Sequence, residues 1–329
     1  MSQILVTGAS GYVGTQVIAG LLRGGQGPVR AVARSATRAD GLRAALRRAQ
    51  GLEDSAGDAV EVVTADLMSD DGWKAAMTGV GEVYHVASPI PPAQPKDPDE
   101  LIVPAREGTL RVLRAARDAG ARRVVLTSSF AAIGYTPKPG ADFTEDDWTD
   151  PDMPGLPPYP RSKTIAERAA WDFMASEGGG LELTVVNPTF ILGPPLTDET
   201  GSSMYLIKAM FSGQMSVAPR HRFGIADVRD VADLHIRAMA APGAAGKRFI
   251  GVSDHPTISY LELAEILRQR FGSLATRVPT EEAPGDDLPR LVIRNDRAKG
   301  ELGWRPRPLE TTIVDTVENL SERGELPGQ

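Results

Sequence analysis

The chain has 329 residues, 41% of them hydrophobic and 24% charged, which is typical of a folded protein with a large domain and a smaller one. Its net charge of −7 argues against a general nucleic-acid binder. The absence of cysteine excludes disulfides, thiolate metal ligands and thiol nucleophiles. Four histidines, none at zinc-ligand spacing, predict no metal site.

The sequence contains no run of about 18 apolar residues, so no membrane span is predicted. Met1 leads directly into a strand-like segment and not into a signal peptide. We therefore expect a cytoplasmic protein whose partner is a small molecule, neither nucleic acid nor membrane.

The first fifty residues predict one βαβ unit. A β-branched run at residues 4–7 ends in a glycine-rich turn, a helical pattern covers residues 12–22, and a second strand follows at 29–33. The right-handed crossover of such a unit puts the turn at the carboxyl edge of a parallel sheet.

Three glycines give this turn the character of a dinucleotide site. Gly8 permits a tight turn, Gly11 lets the backbone approach a pyrophosphate, and Gly14 lets the helix pack closely on the strand. A ligand-free glycine turn is the alternative, but the flanking strand and helix favour a nucleotide. Neighbours expected at the cofactor are Thr7, Tyr12 and Val13. The spacing of three and three residues resembles the extended short-chain dehydrogenase/reductase superfamily.

The end of the second strand predicts which nicotinamide cofactor is bound. An NAD site usually has an acidic residue there, but here Arg34 follows the strand and the nearest acid is Asp40. An arginine would bind the 2′-phosphate of NADP, with Arg38 as a second contact. The alternative is a plain surface arginine in an arginine-rich stretch. We expect NADP in preference to NAD.

Strands and helices continue to alternate along the chain. Strands are predicted at residues 61–64, 83–86 and 124–126, and a helix at 99–119. This order predicts an α/β Rossmann fold with a doubly wound parallel sheet and its ligands at the carboxyl ends of the strands.

Two residues within these strands and turns have alternative interpretations. Asp66 lies where its carboxylate could contact the amino group of an adenine, and it could equally cap a helix. Leu67, which follows it, is a further expected cofactor contact. His85 is interpreted as a buried histidine that its neighbours satisfy.

A serine after the fifth strand and a Tyr-x-x-x-Lys pair carry the predicted chemistry. Tyr159 and Lys163 lie one turn apart at the start of a helix. Pro160 suits a first helical turn and disfavours helical angles at Tyr159. A neighbouring ammonium favours the phenolate, which lets Tyr159 act as a general acid. Ser129 would donate a hydrogen bond to the substrate oxygen.

Five sequence runs carry a closer resemblance: VYHVASP at 83–89, TSS at 127–129, YPRSKTIAE at 159–167, NPTFILGP at 187–194 and DVRDVAD at 227–233. They resemble the group of dihydroflavonol 4-reductases, cinnamoyl-CoA reductases and NADPH-dependent aldehyde/ketone reductases. The resemblance implies a catalytic triad of Ser129, Tyr159 and Lys163, with Ser128 as the alternative serine. It also implies that Arg34 contacts the 2′-phosphate. Further cofactor contacts implied are Ala87, Ser88, Thr127, Pro188, Tyr159 and Lys163.

The chain departs from the plant flavonoid enzymes after Ser129. Phe130 and Ile133 make the wall of the site bulkier and more apolar, so microbial aldehyde and ketone reductases are the closer likeness. The predicted substrate pocket consists of Ile90, Phe130, Ile133, Phe190 and Tyr205. Helix packing is the alternative role for the aromatic residues at 204–211.

We expect residues 1–188 to form the dinucleotide-binding domain, with 225–252 returning to it. Residues 189–224 and 253–329 would form a mostly helical substrate lobe. The predicted function is NADPH-dependent reduction of an aldehyde or ketone, reversible as alcohol oxidation.

Other functions on this scaffold are alternatives to the reductase. One is a nucleotide-sugar epimerase or dehydratase, another a hydroxysteroid dehydrogenase/isomerase, and the last a non-catalytic NADP sensor. A nucleotide-sugar enzyme would need basic residues such as Lys208, Arg220 and Arg222 to hold a diphosphate. Helices at 99–119 and 159–178 could form a homodimer face.

Overall fold

The computed structural model describes residues 2–89, 97–138, 140, 142–198, 201–286, 288 and 290–326. Its strands are β1 (Gln3–Thr7), β2 (Val29–Ala33), β3 (Val60–Thr64), β4 (Val80–His85), β5 (Arg123–Thr127), β6 (Asp142–Phe143), β7 (Glu182–Pro188), β8 (Phe190–Leu192), β9 (Arg222–Phe223), β10 (Ile225–Asp227), β11 (Arg248–Gly251), β12 (Ile258–Ser259) and β13 (Val292–Ile293).

The α-helices are α1 (Tyr12–Arg23), α2 (Ala36–Arg48), α3 (Trp73–Ala76), α4 (Asp99–Asp118), α5 (Pro158–Ser176), α6 (Ser202–Ser212), α7 (Val228–Ala240), α8 (Tyr260–Phe271), α9 (Asp296–Leu302) and α10 (Leu309–Glu322). Short 3₁₀ turns cover Asp54–Gly57, Phe130–Ala132, Pro242–Ala244 and Gly272–Ala275.

Seven parallel strands form the central sheet in the order β11-β7-β5-β4-β1-β2-β3. The chain builds outward from β1 in one direction and from β4 in the other, so the strand order reverses between these two neighbours. A reversal of this kind opens a crevice at the carboxyl ends of the strands. The predicted Rossmann fold with a doubly wound sheet is confirmed.

Helices cover both faces of this sheet. The core on one face includes Val17 and Leu21 of α1 and Leu234 of α7. The core on the other face includes Leu113 of α4 and Phe173 of α5. Parallel strands covered on both sides read as nearly continuous apolar runs, and this is why residues 4–7 and 124–126 were recognisable as strands.

A third core is formed mostly by the part of the chain after β7. Helices α6, α8 and α10 bring together buried side chains that include Met210, Leu263 and Ile313. Short sheets pair β8 with β10, β9 with β12, and β6 with β13. We call α6, α8, α10 and these short sheets together the lobe. The Val13 side chain packs against both this core and the core beneath the sheet.

Segment 225–252 contributes a strand to the central sheet and a helix to the layer that covers it. Strand β11 pairs with β7 at the edge of the central sheet, and α7 packs against α1. The exact division into two domains stays a prediction. Within the described ranges, no helix is both long and apolar enough to cross a membrane.

Candidate active site

A cavity of about 1370 Å³ lies between the carboxyl ends of the central strands and the lobe. Arg34 and Asp66 line it after β2 and β3, at one edge of the sheet, and the glycine turn after β1 and Tyr159 line it as well. The topological reversal between β1 and β4 therefore coincides with this cavity.

The glycine turn leaves no room for side chains. Gly8 has a φ of 64°, and a Cβ added there would lie 2.8 Å from backbone atoms of Ala87. A Cβ on Gly14 would lie 2.1 Å from the Gly8 carbonyl oxygen. Gly11 caps α1 without a side-chain hydrogen bond, so the first-turn N–H groups are available to an anion. These residues fit the pyrophosphate of a dinucleotide.

Thr7 ties the end of β1 to the end of β4. Its hydroxyl oxygen accepts a hydrogen bond from the Ala87 N–H at 3.1 Å and bonds His85 Nδ1 at 2.8 Å. Burial, and secondarily the charge of Lys163, lowers the pKa of His85 to about 3, so its ring is neutral at neutral pH. His85 is thus the buried, satisfied histidine that its sequence context indicated.

The end of the cavity beyond β2 contains the predicted adenosine contacts. Arg34 and Arg38 both line it, as do Asp66 and Leu67. The Asp66 carboxylate accepts from the Met68 N–H at 2.9 Å, so it caps a turn and borders the cavity at the same time.

Tyr12, Val13 and Pro188 also line the cavity. The Tyr12 ring is buried, and its hydroxyl donates to the Gly193 carbonyl oxygen at 2.7 Å. Burial, with the Asp227 carboxylate as a smaller cause, raises the Tyr12 pKa well above its usual value. Tyr12 therefore links the start of α1 to the lobe.

Thr127, at the end of β5, directs its hydroxyl proton away from the cavity. His235 Nδ1 bonds the Val231 carbonyl at 2.7 Å, and burial lowers the pKa of this histidine to about 4. A carbonyl only accepts, so neutral His235 carries its proton on Nδ1 and accepts at Nε2. The Thr127 hydroxyl, 2.7 Å from Nε2, is therefore the donor.

The two adjacent serines have different surroundings. Ser128 is buried, and its hydroxyl donates to Glu167 Oε2 at 2.5 Å. Both serines line the cavity, and the Ser129 hydroxyl oxygen accepts from the Ala131 N–H at 3.1 Å. The Ser129 proton is therefore available to a substrate oxygen, whereas the Ser128 proton is engaged.

Tyr159 and Lys163 lie one turn apart on α5, and both line the cavity. Lys163 Nζ lies 5.9 Å from the centroid of the Tyr159 ring and donates to Ser88 Oγ at 3.0 Å. The bias against helical angles that Pro160 was expected to impose on Tyr159 is overcome, because α5 begins at Pro158 and includes Tyr159. The first N–H groups of a helix have no partner within it, so a proline in the first turn removes nothing.

Of the five predicted substrate-pocket residues, three line the cavity, one lies beneath its wall and one is outside the described residues. Phe130, Phe190 and Tyr205 line the cavity, Tyr205 at a rim that leaves it 68% exposed. Ile133 is a wrong prediction, since it is 1% exposed and packs against Phe143, Ile250 and Val252 beneath the wall. The 3₁₀ turn after Ser129 presents Phe130 to the cavity and turns Ile133 inward. Ile90 lies outside the described residues.

The sequence predicted only one member, Phe190, of an aromatic wall that we define as Phe190, His221, Phe223 and Tyr260. The Phe223 ring centroid lies 5.0 Å from that of Phe190, 4.8 Å from that of Tyr260 and 6.4 Å from that of His221. Burial lowers the His221 pKa and raises that of Tyr260, so both are neutral at neutral pH. These residues come from three separate segments of the lobe, and only Phe190 lies in one of the recognised sequence runs.

Tyr135 was also missed, and it lines the cavity. Burial raises its pKa, with the nearby Tyr159 and Tyr260 as smaller causes. In the ranges that the structure covers, no group of three metal-ligating side chains comes together.

Comparison with known proteins establishes the class of this chain. Residues 4–250 match the NAD dependent epimerase/dehydratase family, and the chain belongs to that family. Within it, the chain is a member of the extended short-chain dehydrogenase/reductase superfamily and of its dihydroflavonol and cinnamoyl-CoA reductase group.

Individual relatives match over nearly the full chain. Cinnamoyl-CoA reductase CAD2 of Medicago truncatula is 33% identical over 330 residues, which cover 97% of this chain and 96% of that protein. Tetraketide alpha-pyrone reductase 1 of Arabidopsis thaliana is 33% identical over 333 residues, which cover 98% and 97%.

A similar solved structure is yeast methylglyoxal/isovaleraldehyde reductase Gre2 complexed with NADPH, with a TM-score of 0.80 and 26% identity over 98% of this chain and 100% of that one. Alfalfa vestitone reductase, at 22% identity and a TM-score of 0.79, shows the shared fold. The chain is an NAD(P)-dependent oxidoreductase, as its sequence motifs predicted.

Proposed function

We propose that this protein is an NADPH-dependent reductase that transfers a hydride to an aldehyde or ketone carbonyl, and that can oxidise the corresponding alcohol. The observation that carries the proposal is one cavity lined by the glycine turn, Arg34, Ser129, Tyr159 and Lys163. A dinucleotide extended along this cavity would bring its nicotinamide end to the Tyr159 side.

The choice of NADP rests on charge at the end of β2. Arg34 and Arg38 line the cavity there, and a guanidinium pairs well with a phosphate. Two similar structures, the Gre2 proteins of yeast and of Candida albicans, contain NADPH, which bears out the NADP prediction.

In the proposed reaction NADPH supplies the hydride. Tyr159 donates its phenolic proton to the carbonyl oxygen as negative charge develops there, a contribution on the order of 10²–10⁴-fold. Lys163, 5.9 Å from the Tyr159 ring centroid, stabilises the phenolate that remains. Ser129 donates a hydrogen bond to the same substrate oxygen and holds the carbonyl in place.

The lobe favours a carbonyl substrate over a nucleotide sugar. The three basic residues named above for holding a diphosphate each have an acidic partner: Lys208 pairs with Glu325, Arg220 with Glu282 at 3.2 Å and Arg222 with Glu262 at 2.6 Å. The aromatic wall and Phe130 instead present apolar rings. An apolar substrate group beside the reacting carbonyl fits these surroundings.

The test is NADPH oxidation against a panel of aldehydes, α-ketoesters and aryl ketones, alongside NADH. We expect turnover of at least one carbonyl class, faster with NADPH. Absence of carbonyl turnover together with binding of a UDP-sugar would overturn the proposal.

Tyr159→Phe should lower kcat by about 10²–10⁴-fold, because the proton donor is lost while the ring stays. Its NADPH dissociation constant, followed by fluorescence titration, should stay close to that of the wild type. Tyr84→Phe is the matched control, since Tyr84 is buried in the core outside the cavity. Equal losses of turnover and NADPH affinity in Tyr159→Phe would mean a structural role.

A further inference from the structure

Glu167 is a buried carboxylate to which the proposed reaction assigns no role. It lies on α5, four residues after Lys163 and eight after Tyr159, and therefore on the same helix face. Its side chain is 0% exposed. A carboxylate is retained in such a place only when its hydrogen bonds are satisfied.

One oxygen of Glu167 joins α5 to two strand ends. Oε2 accepts from Ser128 Oγ at 2.5 Å and from Asn187 Nδ2 at 2.7 Å. The same Asn187 amide donates to the Ser129 carbonyl oxygen at 3.2 Å. Two routes therefore run from Glu167 to the Ser129 backbone, one through the preceding residue and one through Asn187.

Arg248 holds the other oxygen. Its Nε donates to Glu167 Oε1 at 2.6 Å, and its Nη1 donates to the backbone carbonyls of Glu145 and Asp147 at 2.8 and 2.7 Å. The guanidinium lies 3.8 Å from the centroid of the Trp148 ring. Because backbone and ring both fix Arg248, the carboxylate has one orientation.

A buried ion pair adds little stability over apolar residues of similar volume, so stability alone is a weak explanation for this one. Its position offers a better explanation. The pair connects the helix that carries the proposed acid to the strand end that carries the proposed serine. Misplacement of reacting groups by about 1 Å can cost 10²-fold in rate.

We propose that Glu167 is a positioning residue, which Arg248 orients, and that it sets the separation of Ser129 from Tyr159. The inference rests on the proposed reductase function. Glu167 does not touch the substrate or cofactor in this proposal; it acts through Ser128, Asn187 and the Ser129 backbone.

Glu167→Gln tests the inference. The amide keeps the shape of the side chain, but its NH₂ group replaces one of the two acceptors. We expect kcat to fall by about 10²-fold, with the KM for the carbonyl and the NADPH dissociation constant changed by less than about threefold. Crystal structures should show a longer distance from Ser129 Oγ to the Tyr159 hydroxyl oxygen than in the wild type.

Asp230→Asn is the matched control, since Asp230 is also a buried carboxylate paired with an arginine, Arg307, but lies on α7 outside the cavity. It should lower the melting temperature and leave kcat unchanged. Wild-type kcat in Glu167→Gln, or a fall in kcat with the Ser129–Tyr159 separation unchanged, would overturn the inference.

Ser128→Ala keeps the test decisive if Glu167→Gln does not fold. It removes one of the two routes, and we expect a several-fold fall in kcat with NADPH affinity retained; an unchanged kcat would count against the inference. If the wild type reduced no carbonyl, the proposed function would fail, and the Ser129–Tyr159 separation in the variant crystals would still decide the positioning role.

Discussion

At the scale of single residues, Ser128 and Ser129 differ in hydrogen-bond partners that local sequence does not predict. Both follow the same strand, and composition does not distinguish them. In the structure both serines line the cavity, but the Ser128 hydroxyl donates to Glu167, whereas the Ser129 hydroxyl oxygen accepts from the Ala131 N–H. The difference depends on partners 39 and 2 residues away, and the distant one is invisible to a local pattern.

Arg34 is the residue at which a single substitution should change cofactor choice. Arg34→Asp puts a carboxylate beside the ribose, where it repels a 2′-phosphate and accepts from a 2′-hydroxyl. A hydrogen bond to a charged group contributes about 1.5–3 kcal/mol, so the KM for NADPH should rise by roughly 10–100-fold while that for NADH falls.

Steady-state kinetics with both cofactors measures this shift. Arg43→Asp is the control, because Arg43 belongs to α2 without lining the cavity and pairs with Asp40. Unchanged preference in Arg34→Asp would place the 2′-phosphate contact elsewhere.

At the scale of elements, β1, the glycine turn and α1 form a unit that the sequence predicts almost completely. The reason is that a side chain at position 8 or 14 would clash with backbone atoms that lie nearby in the chain or at the end of an adjacent strand. The first and last residues of the elements were predicted less accurately than their order. The fourth strand begins at Val80 and ends at His85, whereas residues 83–86 were predicted, because pairing with β1 and β5 extends it.

Gly14→Ala should damage this unit. The added Cβ would lie 2.1 Å from the Gly8 carbonyl oxygen, so α1 must move away from the turn. We expect a loss of about 1–3 kcal/mol in the free energy of unfolding, measured in urea, and a large loss of NADPH affinity.

Gly41→Ala is the control for the helix-propensity effect. Gly41 lies within α2, and a Cβ there would meet nothing within 4 Å. Alanine should raise stability by about 0.5–1 kcal/mol at that position. Equal behaviour of the two variants would show that the close approach at Gly14 is unimportant.

At the scale of the whole molecule, two buried histidines link stability to pH. Burial lowers the pKa of His85 to about 3 and of His235 to about 4. An unfolded histidine titrates near 6.5, so below that pH the unfolded chain takes up protons that the native chain does not. Their contribution is complete above pH 6.5 and is lost progressively as the pH falls towards 4.

His235→Gln should therefore lose less stability than the wild type between pH 7.5 and 5.5, by about 1.4 kcal/mol. Urea unfolding at the two pH values measures the difference. His255→Gln is the control, because His255 is exposed. Asp230, whose pKa burial raises to about 6, acts in the opposite direction in all variants, so the comparison between variants isolates the histidine. Parallel curves for His235→Gln and the wild type would contradict the prediction.

The whole molecule also determines what the cavity admits. The aromatic wall combines Phe190 after β7, His221 and Phe223 around β9, and Tyr260 at the start of α8. Only Phe190 lies in one of the recognised sequence runs, and only Phe190 was predicted. A homodimer through α4 and α5 stays a prediction.

The sequence by itself determined the Rossmann fold, the family, the glycine turn and the Tyr-x-x-x-Lys pair, because each depends on residues near one another in the chain. Tertiary structure decided which of the two serine hydroxyls donates to Glu167, that Ile133 lies beneath the wall, and that Glu167 joins α5 to two strand ends. Those outcomes depend on contacts between segments far apart in the chain, which no local periodicity encodes.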